Sequence, residues 1–481
     1  MIEKIIEISN IGHFVNFVFN GSQSWNGQLK KVNTIYAPNG SGKTTLSTIL
    51  KSLSINNTDL IKFKRTFGAS ALPVAKIKQS SVSGLICLGP DRWTANDMKI
   101  EVFDVNYIED YLFAGSLAGK QNKTNLFKLL FGERGAQLKN AIKPKANKLD
   151  RLAKSHSRDR RNEQLRAQLE LAGQELAPLL QEFDEFTDPI YQQHIELVNK
   201  YLSKFTSYIR LTEFSHLQNS SAFERFRIFP VFEVYGEKVI FATPNINSNI
   251  GNARYSMSEG DKSTIALCFF LARLEILGVQ DKIIVFDDPL SSFDYSRRTS
   301  TIFQLAKIAT NAVQFILLTH DLGFAADFID KCAFLDPTTL KITNDGTTSR
   351  LAWFDINAEF LTPTQKDLEV IRTFLHSGDS SEAGKREVIR CIRPALEGVL
   401  KTKYFEIITN NIWLGEIIEL IRSSQPSSRL YKLKRIADNL IELNDYTKTF
   451  HHSSGDNRQM MVDSAELARY VQLLMRTIDE I

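Results

Sequence analysis

Between an apolar run ending Thr34-Ile35-Tyr36 and a helical stretch, the chain carries Ala37-Pro-Asn-Gly-Ser-Gly-Lys43-Thr44. No other feature narrows the possible folds so far. A glycine-rich turn of this kind needs a strand to deliver it and a helix to begin at its end. Its backbone N–H groups and the positive end of that helix then hold a polyphosphate between them. On this reading Asn39, Gly40, Ser41 and Gly42 shape the cradle, Lys43 reaches the outer phosphates, Thr44 ligates Mg²⁺, and Thr45 continues the grip into the helix. The usual first glycine is replaced by Ala37. The expected fold is α/β, with ATP or GTP and Mg²⁺ as the cofactors.

A chain of 481 residues holds two to four domains, since single cores seldom grow beyond about 250–300 residues. The net charge of +4 is too small to announce a nucleic-acid binder. Cys87, Cys268, Cys332 and Cys391 are scattered singly, so neither a zinc site nor a disulfide framework is expected. The N-terminus alternates charged and apolar residues like a first strand and lacks a signal peptide's apolar core. With no apolar run long enough to span a bilayer, a cytoplasmic protein without a membrane partner is expected.

Texture divides the chain into four parts. Residues 1–132 read as α/β: an opening strand pair, the phosphate loop, a helix over 44–53, and strands at 84–88 and 99–105. Residues 133–227 are charged and strand-poor, a helical insertion that Pro144, Pro178 and Pro189 should divide into short arms. Within it, residues 134–166 carry eleven Lys/Arg against three Asp/Glu, densest at Arg158-Asp-Arg160-Arg161. Such a run suits either a solvated helix face or a phosphate-contacting surface.

Residues 228–362 return to α/β, with a hairpin around Tyr235-Gly236-Glu237, a helix from about Lys262, and strands at 283–286 and 315–318. Apolar strands alternating with helices indicate a parallel sheet buried on both faces. Residues 363–481 read as helical throughout, with 17 basic and 17 acidic residues.

The second half of a nucleotide site is legible far downstream. The strand Ile283-Ile-Val-Phe286 runs into Asp287-Asp288-Pro289. Asp287 is assigned to the metal, and Asp288 to orienting or deprotonating the attacking water. Upstream, Ser258 and Gly260 form a helix-start turn able to grip a γ-phosphate; downstream come Ser291-Ser292-Phe293-Asp294 and the strand-end Thr319-His320-Asp321.

These elements in this order resemble the ABC-type ATPases, specifically their SMC-like branch, in which a helical arm separates two half-domains. The resemblance makes Lys43 and Thr44 the Walker A residues and Ser258-Glu-Gly260-Asp261 the signature. It makes Asp287 and Asp288 Walker B, Ser291 to Asp294 the D-loop, and His320 the switch histidine. Asn106 is the candidate Q-loop residue. The resemblance also implies a head-to-head homodimer or higher oligomer, in which one copy's signature completes the other's site. An arm of about 95 residues without a cysteine is too short for long-range tethering, reaching only about 70 Å as a hairpin.

The tail contains Arg390-Cys-Ile-Arg393-Pro-Ala-Leu-Glu397, which places Arg393 and Glu397 on one helix face, and later Phe450-His451-His452-Ser453-Ser454. Together they resemble the ATPase-gated anticodon nucleases of the PrrC and RloC type, with an Arg-x-x-x-Glu pair and a later histidine in a HEPN-like helical domain. The resemblance implies metal-independent cleavage of tRNA in antiphage defence. His452 would act as acid/base, Arg393 would stabilise the phosphorane, and Glu397 would orient Arg393 or take a proton. The alternative is the ATPase subunit of a Septu-like or retron-associated defence complex, whose tail binds a separate partner nuclease.

Overall fold

In the computed structural model, residues 1–19, 25–80, 84–95, 97–104, 106–112, 125–216, 226, 228–241, 251–289, 295–377, 381–451 and 461–481 are described. The first compact unit runs from Met1 to Phe354 and the second from Asp355 to Ile481.

The chain opens with β1 (Ile2–Ile11) and β2 (Phe14–Val18), then β3 (Val32–Tyr36), which leads through the phosphate loop into α1 (Lys43–Ile55). A short α2 (Asp59–Lys62) precedes β4 (Val74–Gln79), β5 (Leu85–Cys87) and β6 (Ile100–Phe103). Two long helices follow, α3 (Asn125–Arg158) and α4 (Glu163–Leu202). The chain then forms β7 (Ile209–His216), β8 (Ile228–Val234), β9 (Glu237–Ile240) and β10 (Gly251–Asn252). After α5 (Ala253–Ser256) and α6 (Glu259–Leu277) come β11 (Ile283–Asp287), α7 (Tyr295–Asn311), β12 (Gln314–Thr319) and α8 (Leu322–Lys331). The hairpin β13 (Thr338–Asn344) and β14 (Ser349–Trp353) closes the unit.

The central sheet has the order β14-β13-β3-β12-β11-β6, parallel except for β14. Its middle strands β11 and β12 are buried at every position, which is why they read as unbroken apolar runs. The order puts the carboxyl ends of β3, β12 and β11 side by side, the usual place for a ligand in such sheets. Residues 33–36, 283–287 and 315–319, hundreds of positions apart, thereby meet at one edge. Two further sheets have the orders β2-β1-β4-β5 and β10-β9-β8-β7.

The expected division of the insertion into short arms is incorrect. Pro144 lies inside α3, and Pro178 and Pro189 lie inside α4. The two helices pack along each other as one hairpin, with Leu138, Ile142 and Ala146 of α3 and Ala172, Leu176 and Phe183 of α4 buried. An interior proline costs roughly 3 kcal/mol. Burying each large apolar side chain returns about 1.5–3 kcal/mol, so a continuous apolar seam outweighs three prolines. The break in α3 is at Gly132, whose φ of 54° only glycine adopts readily. The helical insertion ends at Leu202, and β7 falls within the segment expected to be strand-poor. Arg158, Arg160 and Arg161 sit exposed at the hairpin turn, where Asn162 caps α4 by accepting from the Leu165 N–H at 3.1 Å.

The second unit holds α9 (Ile356–Phe360), α10 (Pro363–Ser377), α11 (Glu382–Lys403), α12 (Leu414–Ser423), α13 (Ala437–His451) and α14 (Ser464–Glu480). They enclose a core of their own that includes Ile389, Ile392, Leu396, Ile417, Leu440 and Leu474. No helix among the described residues is long and apolar enough to cross a membrane.

Candidate functional site

The phosphate loop is shaped by backbone chirality. Gly40 and Gly42 have φ of 80° and 111°, a region closed to most side chains, whereas Ala37 is not among the positive-φ residues. This explains why alanine is tolerated at the first position of the motif. At Gly42 a Cβ would also come within 2.8 Å of the Phe14 ring. Gly42 is the N-cap of α1 and brings no side chain to its first-turn amides, which leaves that end suited to an anion. Ser349 braces the loop from β14 by donating its Oγ–H to the Ser41 carbonyl at 2.7 Å.

Lys43 is buried, and its Nζ donates to the Ala37 carbonyl at 2.7 Å and the Pro38 carbonyl at 3.3 Å. The Asp288 Oδ2 lies 3.6 Å from the same nitrogen. The lysine therefore stands over its own loop with a carboxylate opposite.

Asp287, at the end of β11, is only 2% exposed. Its Oδ2 accepts from the Ser47 hydroxyl at 2.6 Å, and its Oδ1 has no partner. Burial, with Asp288 adding repulsion, raises its carboxyl to about 6 although the Ser47 hydrogen bond opposes the shift. A buried, half-satisfied carboxylate that resists ionisation is what a hard cation relieves. Thr44 and Asp287 thus fit Mg²⁺ with phosphate oxygens as further ligands.

Asp288 adopts a φ of 51°, unusual for a non-glycine residue and tolerated best by Asp and Asn. Its Oδ1 accepts from the His320 backbone N–H at 3.0 Å and faces the His320 Nδ1 at 2.7 Å. His320 thereby fixes one oxygen and leaves Oδ2 turned toward Lys43. The left-handed twist is what brings the carboxylate back over the neighbouring strand end.

A cavity of about 640 Å³ lies here, walled by Asn39, Lys43, Thr44 and Asp288, by Gly12 and His13, and by the turn at Gly346 and Thr347. Its outer wall is the segment Phe63-Lys64-Arg65-Thr66-Phe67, which carries no motif and is missed by sequence reasoning. Burial depresses the Lys64 ammonium, against the pull of Asp287 and Asp104, and its Nζ donates to the Thr44 carbonyl at 3.2 Å. Ser47 was also missed, although its place one turn after Thr44 on α1 is a readable signal.

Ser258 and Gly260 do not line this cavity. Ser258 is the N-cap of α6: its Oγ accepts from the Asp261 N–H at 3.1 Å and donates to the Asp261 Oδ2 at 2.8 Å. Arg297, just beyond the D-loop positions, donates to the Gly260 carbonyl at 3.2 Å and to the Asp261 Oδ1 at 3.0 Å. Burial opposes ionisation of Asp261, but hydrogen bonds from Tyr208, Ser258 and Arg297 hold its carboxyl below the usual range. Asn106 is exposed, its backbone N–H donating to the Asp104 Oδ1 at 3.1 Å. Ser291 to Asp294 lie outside the described residues.

In the second unit, Arg393 and Glu397 of α11 pair at 3.0 Å through Nε and Oε1. Glu397 is buried, and the same Oε1 accepts from the Leu414 N–H at 2.8 Å. Both residues line a pocket of about 850 Å³ together with Arg390, Trp413, Asn444 and Lys448. His452, with Ser453 and Ser454, lies outside the described residues. Asn444 and Lys448 stand one turn apart on α13, and position 452 is the next step of that spacing in the sequence.

Fold and site together define a nucleotide-binding P-loop domain of the ATPase type. The chain belongs to the AAA_13 family, an AAA domain, whose profile matches residues 11–221 and 245–351. An 86-residue stretch is 29% identical to the hemin import ATP-binding protein HmuV of Aliivibrio fischeri, covering 18% of this chain and 32% of HmuV. The chain thus spans about a third of the length of that curated relative. Among solved structures it is similar to an Smc head domain with an extended coiled coil, bound to the C-terminal domain of ScpA, from Pyrococcus furiosus. That match has 13% identity, covers 77% of this chain and 99% of that one, and has a TM-score of 0.39. It is also similar to the recombination mediator protein RecF with ATP, at 14% identity over 66% of this chain and 93% of that one, with a TM-score of 0.37.

Proposed function

We propose that this chain is an SMC-like ABC ATPase whose head, on binding ATP and Mg²⁺, dimerises and gates a metal-independent ribonuclease in its C-terminal unit. The observation that carries the ATPase half is that Lys43 and Asp288 wall one cavity, with Asp288 held by His320 from the neighbouring strand end and preceded by the buried Asp287. Thr44 and Asp287 would hold Mg²⁺, which supplies charge neutralisation at the β- and γ-phosphates. Asp288, steadied by His320 through Oδ1, uses Oδ2 to orient the attacking water. Lys43 exchanges the loop carbonyls for phosphate oxygens. Ser258 and Gly260, placed away from their own chain's cavity, support a composite site closed by a second copy.

For the C-terminal unit the support is the Arg393–Glu397 pair facing a pocket that α13 also lines. Arg393 offers its guanidinium to a phosphorane, Glu397 holds it in place, and His452 serves as acid/base toward the ribose 2′-OH and the leaving 5′-oxygen. The tRNA substrate and the antiphage setting rest on the resemblance to the PrrC and RloC nucleases. Expression of wild type, Lys43→Ala and His452→Ala followed by probing of total tRNA tests this reading. Wild type is expected to be toxic with nicked tRNA, and both variants harmless. Intact tRNA in cells arrested by the wild type, or cutting that appears only when a partner nuclease gene is added, would overturn it.

A further inference from the structure

The C-terminal pocket contains more than the Arg393–Glu397 pair requires. Trp413, the N-cap of α12, is 63% exposed although it is among the most apolar side chains of the unit. It is held by two cations: the Arg393 guanidinium lies 5.5 Å and the Lys401 ammonium 6.0 Å from its ring. Its backbone N–H donates to the Glu416 Oε2 at 2.8 Å, so the residue is fixed at both ends. A rigid, solvent-facing indole is a platform for another flat group.

Asn444 is the second feature. It is 4% exposed, lines the same pocket, and its Oδ1 is buried without a hydrogen-bond partner. An orphaned buried acceptor costs about 1–3 kcal/mol, a cost removed when a ligand donates to it. Of the two carboxylates at the pocket, Glu397 is buried and Glu416 is exposed, and each already accepts from a neighbouring donor. Glu397 serves Arg393 and the Leu414 N–H, and Glu416 serves the Trp413 N–H. Arg390 pairs with Glu387 and Lys448 with Asp445, each on its own helix and at an exposed position that a phosphate can reach.

We infer that this pocket binds one nucleotide of a single-stranded RNA, with the base stacked on Trp413, its amino edge donating to Asn444 Oδ1, and the phosphodiester held by Arg390 and Lys448 beside Arg393. The inference deepens the ribonuclease reading by naming what selects the cut nucleotide, and it rests on that reading for the choice of RNA. An acceptor placed to take an exocyclic amine favours adenine and cytosine over uracil, whose edge offers O4 there and donates only through N3–H.

The test is fluorescence anisotropy of fluorescein-labelled octameric RNAs (A, C or U) with the full-length chain. Trp413→Ala should weaken binding about 10-fold or more, and Trp413→Phe should stay within about threefold of wild type. Asn444→Ala should erase the preference for A and C over U with little change for U. ATP hydrolysis by the head should be unchanged in all three variants. Equal affinity of wild type and Trp413→Ala overturns the inference. So does a polyglutamate peptide that binds as tightly as RNA and with the same dependence on Trp413. Trp413-dependent RNA binding by a chain that never cuts RNA keeps the inference and removes the nuclease reading. Cutting of tRNA by Trp413→Ala with an unchanged KM does the reverse.

Discussion

The nucleotide site and the C-terminal pocket are built in opposite ways. In the head, the functional groups come from positions hundreds of residues apart, include the buried Lys43 and Asp287, and are tied to one another through backbone as well as side chains. Lys43 rests on its own loop, Asp288 is gripped by both the amide and the ring of His320, and Asp287 is closed in by Ser47. In the C-terminal unit, Arg393 and Glu397 are one turn apart on a single helix, and the groups around them are mostly open to solvent. A site assembled by sheet topology is rigid before any ligand arrives, whereas a site on helix faces is shaped by a few side chains. Substitutions in the head should therefore have all-or-none effects, and those in the tail graded ones.

The largest expected effect follows from removing the phosphate-loop cation. Lys43→Ala should lower ATP turnover by about 100-fold or more, because Lys64, the other ammonium of the cavity, is bonded to the Thr44 carbonyl and does not stand over the loop as Lys43 does. Steady-state hydrolysis measures this directly, and Lys43→Arg should not rescue it in so buried a position. A loss below about tenfold would show that the head is less preorganised than its hydrogen bonds indicate.

Next in size is Arg393→Ala, expected to reduce RNA cutting by about 100-fold with hydrolysis of ATP intact. Arg393→Lys should recover little of it, since a point charge cannot reproduce a guanidinium that pairs with Glu397 and lies beside Trp413. Equal loss of ATP hydrolysis in this variant would break the separation between the two sites.

Asp287 gives a pH-dependent contrast. Its carboxyl is raised to about 6 by burial, so the folded state holds a proton that the unfolded chain has already released. Without nucleotide or metal, this residue costs nothing below about pH 4, and its cost grows as pH rises to about 6 and stays constant above. Asp287→Asn should therefore stabilise the nucleotide-free protein by on the order of 3 kcal/mol above pH 6, the advantage vanishing near pH 4, while abolishing Mg²⁺-dependent hydrolysis. Denaturant melts across that range check both the sign and the window.

The smallest effect concerns the turn at the start of α6. Arg297→Ala removes hydrogen bonds to the Gly260 carbonyl and Asp261, and should lower stability by about 1–3 kcal/mol. It should also reduce nucleotide-dependent dimerisation, read by light scattering, with little change in nucleotide affinity of the monomer.

What could be read from sequence differed between the regions for a physical reason. The phosphate loop, Asp287-Asp288 and His320 announce themselves because each needs a special residue at a strand end, and residues 283–286 and 315–318, which lead to the last two, are apolar throughout. Arg393 and Glu397 were readable from helical spacing alone. Three features were not. The hairpin α3–α4 runs through Pro144, Pro178 and Pro189 because a seam between two helices outweighs local proline costs, and such a seam is invisible one helix at a time. The outer cavity wall at Phe63 and Phe67 consists of exposed side chains obeying no periodicity. Asn444 looks like any helical asparagine until folding leaves its oxygen buried without a donor.

Cleavage of tRNA by the purified full-length chain, with and without ATP and Mg²⁺, tests the coupling of head to tail most directly. Nicks should appear only with nucleotide present. They should vanish in Lys43→Ala together with hydrolysis, and vanish in His452→Ala while hydrolysis continues. Hydrolysis of ATP by the wild type with tRNA left intact, or nicking equally fast without nucleotide, would contradict it.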